Sequence, residues 1–138
     1  NADLSNASLF NSNFETANLR STNMPGANFN KAILDGANLS NSRLSRANLS
    51  EASLEECNLW SARVSGSVFT QANVTAANLM ATGLSKDFAL GEFPDMTFSN
   101  QTAWDTSQIK RHQVSKSHAE TIQKEVNKKG FLSRLFGR

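Results

Sequence analysis

Ala37-Asn38-Leu39-Ser40-Asn41-Ser42-Arg43-Leu44-Ser45-Arg46-Ala47-Asn48-Leu49 puts a large apolar residue at every fifth position and a small one two places before it. The rhythm runs outward in both directions from there. Seventeen large residues, from Leu4 to Leu84, keep the five-residue step without a slip. The small position is Ala eleven times and otherwise Ser12, Thr22, Ser42, Cys57, Ser67 or Thr82. The residue just before the large one is Asn nine times and Asp once. A period of five fits neither a helix at 3.6 nor a strand at 2.0. It belongs to a repeat architecture, in which each short unit is stable only when stacked on its neighbours.

The unit Ala-Asn-Leu-x-x, as in Ala17-Asn18-Leu19, Ala47-Asn48-Leu49 and Ala77-Asn78-Leu79, resembles the pentapeptide-repeat family. That resemblance implies an all-β solenoid, a right-handed quadrilateral β-helix. One pentapeptide would form each side and four would make a coil of twenty residues. Coils at the usual strand spacing of about 4.8 Å give a rod about 20 Å tall. The central Leu, Phe or Met is expected to point inward, with the small residue beside it where no second large side chain fits. Each buried centre contributes about 1.5–3 kcal/mol. The other three positions form wet outer columns. Corners turn tightly and suit Asn, Ser, Gly and Asp. Asn18, Asn38, Asn58 and Asn78 fall on one side, where a ladder of side-chain hydrogen bonds is an alternative use for them.

The chain divides into four segments: a repeat rod over 1–86, a degenerate last coil or cap over 87–105, a polar linker or helix over 106–127 and a basic amphipathic tail over 128–138. Phe88, Phe93 and Phe98 keep the five-residue step but shift its register by one, and Phe88, Leu90, Phe93, Met96, Phe98 and Trp104 are expected to close the shaft. A solenoid end otherwise exposes core and strand edges. The chain opens with Asn1 inside a repeat, so a fragment or a processed product is expected.

Residues twenty apart stack, so the outer columns can be read directly. Glu15, Asp35 and Glu55 share one column, with Glu56 beside it. Nothing in folding is expected to require these like charges at coil spacing. The opposite side carries Arg43 and Arg63, with Arg46 and Lys86 nearby. Trp60 and Met80 stack outward on a third side, which also carries Arg20 and Ser40, and Phe10 points outward on the fourth. Glu15, Asp35, Glu55, Glu56, Trp60, Met80, Arg43 and Arg63 together are the candidate protein-docking surface.

The charge is uneven along the chain. Residues 106–138 carry eight cations and two carboxylates, whereas residues 1–105 sum to −4. On a helix, Phe131, Leu132, Leu135 and Phe136 occupy one face, with Ser133, Arg134 and Arg138 opposite and Lys128 and Lys129 leading in. Such a segment suits an anionic membrane surface. The tail resembles the C-terminal membrane-targeting sequence of the MinD cell-division ATPase family. The alternative is that its apolar residues pack on the rod or in a dimer interface.

No pattern supports catalysis, a cofactor or a metal site: His112 and His118 lie in the tail without a partnering carboxylate pair or thiol. Cys57 is single, expected buried, and forms no intramolecular disulfide. Asn-x-Ser/Thr triplets arise from the repeat and are not taken as glycosylation sites. No stretch is long and apolar enough to span a membrane. The expectation is a non-enzymatic protein-interaction scaffold in the cytoplasm, peripheral on the membrane, with an unidentified protein partner. A homo-oligomer through a rod end or the C-terminal helix stays open. Direct nucleic-acid binding by the tail is disfavoured, since it lacks an aromatic-interleaved basic stripe. The family resemblance also implies a second class, DNA-mimicking modulators of gyrase, which calls for an acidic rod. Residues 1–86 are neutral overall.

Overall fold

The computed structural model describes residues 2–83 and Thr102. Four coils stack along one axis: residues 2–21, 22–41, 42–61 and 62–81. The stacking is read from twelve parallel bridges that each join a residue to the one twenty positions on, from Asp3–Asn23 to Asn58–Asn78. They fall at the residue before each centre, one per pentapeptide, so four walls rise around the axis. Wall 1 holds residues 2–6, 22–26, 42–46 and 62–66. Walls 2, 3 and 4 come at steps of five, beginning at residues 7, 12 and 17. Each bridge is an isolated pair, so among the described residues no wall is a continuous strand.

One pentapeptide shows why the chain turns every five residues. Leu39 N–H donates to the Asn58 carbonyl at 2.8 Å and Asn41 N–H to the Trp60 carbonyl at 2.9 Å, both one coil on. Asn38 N–H donates back to Ala17 at 2.9 Å. Ser42 N–H closes the turn on the Leu39 carbonyl at 3.2 Å. One amide remains, that of Ser40, and it donates to Asn38 Oδ1 at 3.1 Å. All five amides are thereby satisfied, as a mostly wall-like backbone requires.

The second residue after each centre has φ near +60°: thirteen non-glycine residues, Asn6 to Ala81, and Gly26, Gly36 and Gly66. A positive φ there, with the centre carbonyl accepting from three residues on, is the signature of a type II turn. Met24-Pro25-Gly26-Ala27 has the preferred residues for it. A Cβ at Gly26 would lie 2.4 Å from Asn6 Oδ1, so only glycine fits that site without moving its neighbour. Elsewhere Lys31, Glu51, Gln71 and even β-branched Thr16 hold the left-handed conformation. Three inter-coil hydrogen bonds per pentapeptide oppose that local strain.

The shaft is filled as expected. Met24, Phe29, Leu34, Leu39, Leu44, Leu49, Leu54, Leu59, Phe69, Val74 and Leu79 are all fully buried. The small column, from Ala27 to Ala77, is closed beside them. Leu4, Leu9, Phe14 and Leu19 of the first coil are only partly buried. The centres of the fourth coil are covered, and Thr102 lies against that end, 3% exposed, donating Oγ1 to the Val74 carbonyl at 2.8 Å. Ser67 makes the same kind of bond to the Leu44 carbonyl, at 2.6 Å and twenty-three residues after its acceptor. Thr102 lies twenty-eight residues after its own acceptor. Thr102 thus takes the place that a small residue opening wall 4 of a fifth coil would hold. The cap residues Phe88, Leu90, Phe93, Met96, Phe98 and Trp104 and the segments 106–127 and 128–138 lie outside the described residues.

Candidate functional site

Among the described residues the shaft is filled by buried side chains, which leaves the outer walls as the surface open to a partner. Their chemistry starts with the asparagines. Asn18, Asn38, Asn58 and Asn78 do not ladder with one another. Each Oδ1 accepts the backbone N–H two residues on, at 3.1–3.2 Å. Asn13, Asn28, Asn48 and Asn73 do the same on other walls. The ladder alternative is not taken up: each side chain serves its own corner, capping the one amide that the coils leave without a backbone acceptor. Asn23 is the exception: two residues on stands Pro25, which has no N–H. Its Oδ1 is therefore buried without a partner, and its Nδ2 turns to Asp3 Oδ1 at 3.0 Å and Ser5 Oγ at 2.9 Å.

The walls differ in charge. Wall 3 carries Glu15, Asp35, Glu55 and Glu56 and no cation. Wall 1, across the rod, carries Arg43, Arg46 and Arg63 against Asp3, with Arg43 and Arg63 bridged in register. Ser5 and Asn23 hydrogen bonds hold the Asp3 carboxyl below the usual carboxylate range. Wall 2 is balanced by Lys31 and Glu51, whose exposed ion pair at 3.6 Å contributes little. It is the sole ion pair among the described residues, within which Arg43 and Arg63 therefore have no carboxylate partner. A groove of about 420 Å³ runs along the edge of wall 1, between Asn6, Pro25, Gly26, Ser45, Arg46 and Ser65.

Asp35 corrects the expectation that the acidic column is idle in folding. Its Oδ1 accepts Ser53 Oγ at 2.6 Å and the Glu55 amide at 2.9 Å. Ser53 stands where most repeats have Asn, so the Glu55 amide lacks the usual side-chain acceptor, and Asp35 supplies one from the coil below. Glu15, Glu55 and Glu56 are exposed, and their carboxylates make no bond among the described residues.

Trp60 and Met80 sit on consecutive coils of wall 4, just after the centres, 48% and 38% exposed. Ser40 beneath them is buried, so the patch begins at Trp60. One corner on lies the arginine column of wall 1. Phe10, Ile33 and Val68 are the other large exposed apolar residues, spread over walls 2 and 3. Sequence patterning did not single out Ile33 and Val68; their place in the column where Asn predominates was the available signal. Cys57 is fully buried, and burial, together with the smaller effect of the Asp35 charge, pushes its thiol up to about 12. Among the described residues no group of His, Cys, Asp and Glu could hold a metal, and no helix is long and apolar enough to cross a membrane. The tail residues Lys128, Lys129, Phe131, Leu132, Arg134, Leu135, Phe136 and Arg138 lie outside the described residues, as do both histidines.

A four-walled rod with one buried centre and one small residue per side is the architecture of a pentapeptide-repeat solenoid. The chain belongs to the pentapeptide-repeat family, whose repeats match in eight copies over residues 1–36, 12–51, 32–71 and 47–85. The fold is the family's right-handed quadrilateral β-helix. Among solved structures, a pentapeptide repeat protein from the Arabidopsis thaliana thylakoid lumen is 24% identical, covering 90% of this chain and 76% of that one with a TM-score of 0.57. It shares the fold. Rfr23, from the cyanobacterium Cyanothece 51142, is 27% identical over 75% of this chain and 64% of its own, with a TM-score of 0.42. QnrB1, a plasmid-mediated fluoroquinolone resistance protein, is 21% identical over 79% of this chain and 62% of its own, with a TM-score of 0.48. The chain thus spans less than two thirds of these last two. No curated protein matches it.

Proposed function

We propose that this protein is a non-enzymatic interaction scaffold, held at the cytoplasmic face of a membrane by its C-terminal tail, with a protein partner docked on its outer walls. The observation that carries the docking half is the exposed Trp60–Met80 pair on consecutive coils, one corner from Arg43 and Arg63. Trp, Met and Arg are the residues enriched where protein interfaces concentrate their energy. A rod whose walls are held by three inter-coil bonds per repeat presents them on an already ordered backbone, so docking orders side chains alone. The tail half rests on the sequence of residues 128–138. Two aromatic and two Leu residues on one helical face, with Lys and Arg around them, suit a short segment lying among anionic headgroups. A single anchor of this length binds reversibly, so lasting attachment requires a partner or several copies. The gyrase reading finds little support, since one wall of four is acidic and residues 2–83 carry five cations against six carboxylates.

Liposome flotation tests the attachment. The full chain is expected to float with vesicles containing anionic lipid and to stay behind with neutral ones. The double variant Phe131→Asp, Leu135→Asp is expected to lose flotation by at least about ten-fold, because each Asp removes an apolar contact and adds a repelled charge. Unchanged flotation of that variant would remove the tail from the account.

A further inference from the structure

Wall 3 carries one exposed large apolar residue, Ile33, among carboxylates. Ile33 is 41% exposed in its middle, with Glu15 one coil away, Asp35 beside it, and Glu55 and Glu56 one coil on. Three of these carboxylates, those of Glu15, Glu55 and Glu56, form no bond among the described residues. Four like charges on one wall repel one another, and only Asp35 has a folding role to offset that. A cation-bearing occupant would relieve the repulsion.

The path of the chain supplies a candidate for that place. Thr102 is buried at the corner that wall 3 shares with wall 4, its Oγ1 bonded to the carbonyl of Val74, the last described centre of wall 3. Thr102 itself therefore borders the acidic wall at that corner. From residue 106 on the chain carries eight cations against two carboxylates. About 25 residues separate Thr102 from Lys128. Even at a helical rise of about 1.5 Å per residue they reach beyond the ~15 Å that separates the Val74 coil from Glu15. A tethered segment also arrives at an effective concentration no free partner matches.

We infer that wall 3 is the docking surface for the chain's own C-terminal segment, residues 128–138, with an apolar residue of the segment on Ile33 and its Lys and Arg residues on Glu15, Glu55 and Glu56. The segment repeats the chemistry of the wall with opposite sign, an apolar face bordered by Lys128, Lys129, Arg134 and Arg138. The same eleven residues serve the membrane attachment proposed above, so the wall and an anionic surface compete for them. This deepens that reading but does not depend on it. If the tail never meets a membrane, it still docks on wall 3.

Paramagnetic relaxation from a spin label on the tail tests it in the full chain. Ser133→Cys gives the attachment point, and buried Cys57 stays unlabelled at neutral pH. At low salt the backbone signals of Glu15, Ile33 and Glu55 are expected to lose more than about half their intensity, while Arg43 and Arg63 across the rod keep theirs. About 0.5 M salt should restore the lost signals, since exposed charges are screened within a few ångströms there. The triple variant Glu15→Gln, Glu55→Gln, Glu56→Gln should restore them at low salt; Asp35 is left in place because it holds the Glu55 amide. In flotation, this variant should bind anionic vesicles about five-fold more tightly, because the competing seat is lost. Equal broadening on all four walls, or wall 3 broadening that survives the triple substitution, overturns the inference. Broadening seen when spin-labelled chains are mixed with isotope-labelled chains that carry no spin label also overturns it, by showing a second copy as the occupant. Loss of flotation in Phe131→Asp, Leu135→Asp with wall 3 broadening absent in the unsubstituted tail removes the seat and leaves the membrane reading standing.

Discussion

Phe29→Ala is expected to lower the unfolding free energy by about 3–5 kcal/mol, the usual range for emptying a buried aromatic site. Phe29 is completely buried at the centre of wall 2 in the second coil. Its ring packs edge-on against Phe14, with centroids 5.8 Å apart and planes at 66°. Phe14 belongs to the partly buried first coil, so it loses its main aromatic contact in the same step. The backbone around Phe29 cannot collapse into the space. Its amide is fixed to the Asn48 carbonyl at 2.7 Å, and its carbonyl accepts the Ala32 amide at 2.9 Å. The cost should therefore approach the upper end of the range. Urea unfolding of the two proteins measures it. Because each coil touches only its neighbours, the loss is expected to show first as fraying of coils 1 and 2, with a smaller m-value. A loss below about 1 kcal/mol would mean the shaft is not packed around this ring.

The second large effect comes from the opposite change. Ala37→Leu adds three carbons to the small column of wall 4, where Ala37 is fully buried. Overpacking of a closed core costs about 1–3 kcal/mol and sometimes more. Here the upper end is expected, since Leu34 and Leu39 flank the site and both are themselves fully buried. Arg63→Leu provides the comparison: it places an apolar side chain of the same size in an exposed column. Its effect should stay within about 0.5 kcal/mol. Equal effects of the two substitutions would show that the inward and outward assignments are wrong.

The period of five announced the rod because one class of residue fills each column. Large centres and small partners recur so regularly that the inward positions were legible from residue order alone. The turn conformation was not. Lys31, Arg46, Glu51 and Gln71 all sit at φ near +60° without being Gly or Asn. Stacking imposes that conformation, so residue type at the turn carries little signal. The asparagines were legible as special but not in their use. Their role depends on which amide the stacking leaves over, and that is visible only once the coils are assembled. Asp35 was missed for a related reason. It compensates for Ser53 on the next coil, a relation between residues eighteen apart that no local motif records. The seat of Thr102 had no sequence signal at all, because the register breaks before it. The two charged walls were readable from columns of residues twenty apart, as the bridges place them.

Each pentapeptide of the inner coils is one wall, four of its amides tied to backbone and the fifth capped by a side chain where an Asn or Asp stands in reach. Residue-resolved amide hydrogen exchange tests this arrangement directly. Protection in coils 2 and 3 should rise and fall with a five-residue period. Asn38, Leu39, Asn41 and Ser42 should exchange slowly. Ser40, Ser50 and Trp60, held by asparagine side chains alone, should exchange faster. Asp35 and Ser45, two residues after Ile33 and Arg43 where the capping Asn would stand, should be the fastest. Protection repeating every two or every three to four residues, or uniform along residues 22–61, would contradict the account.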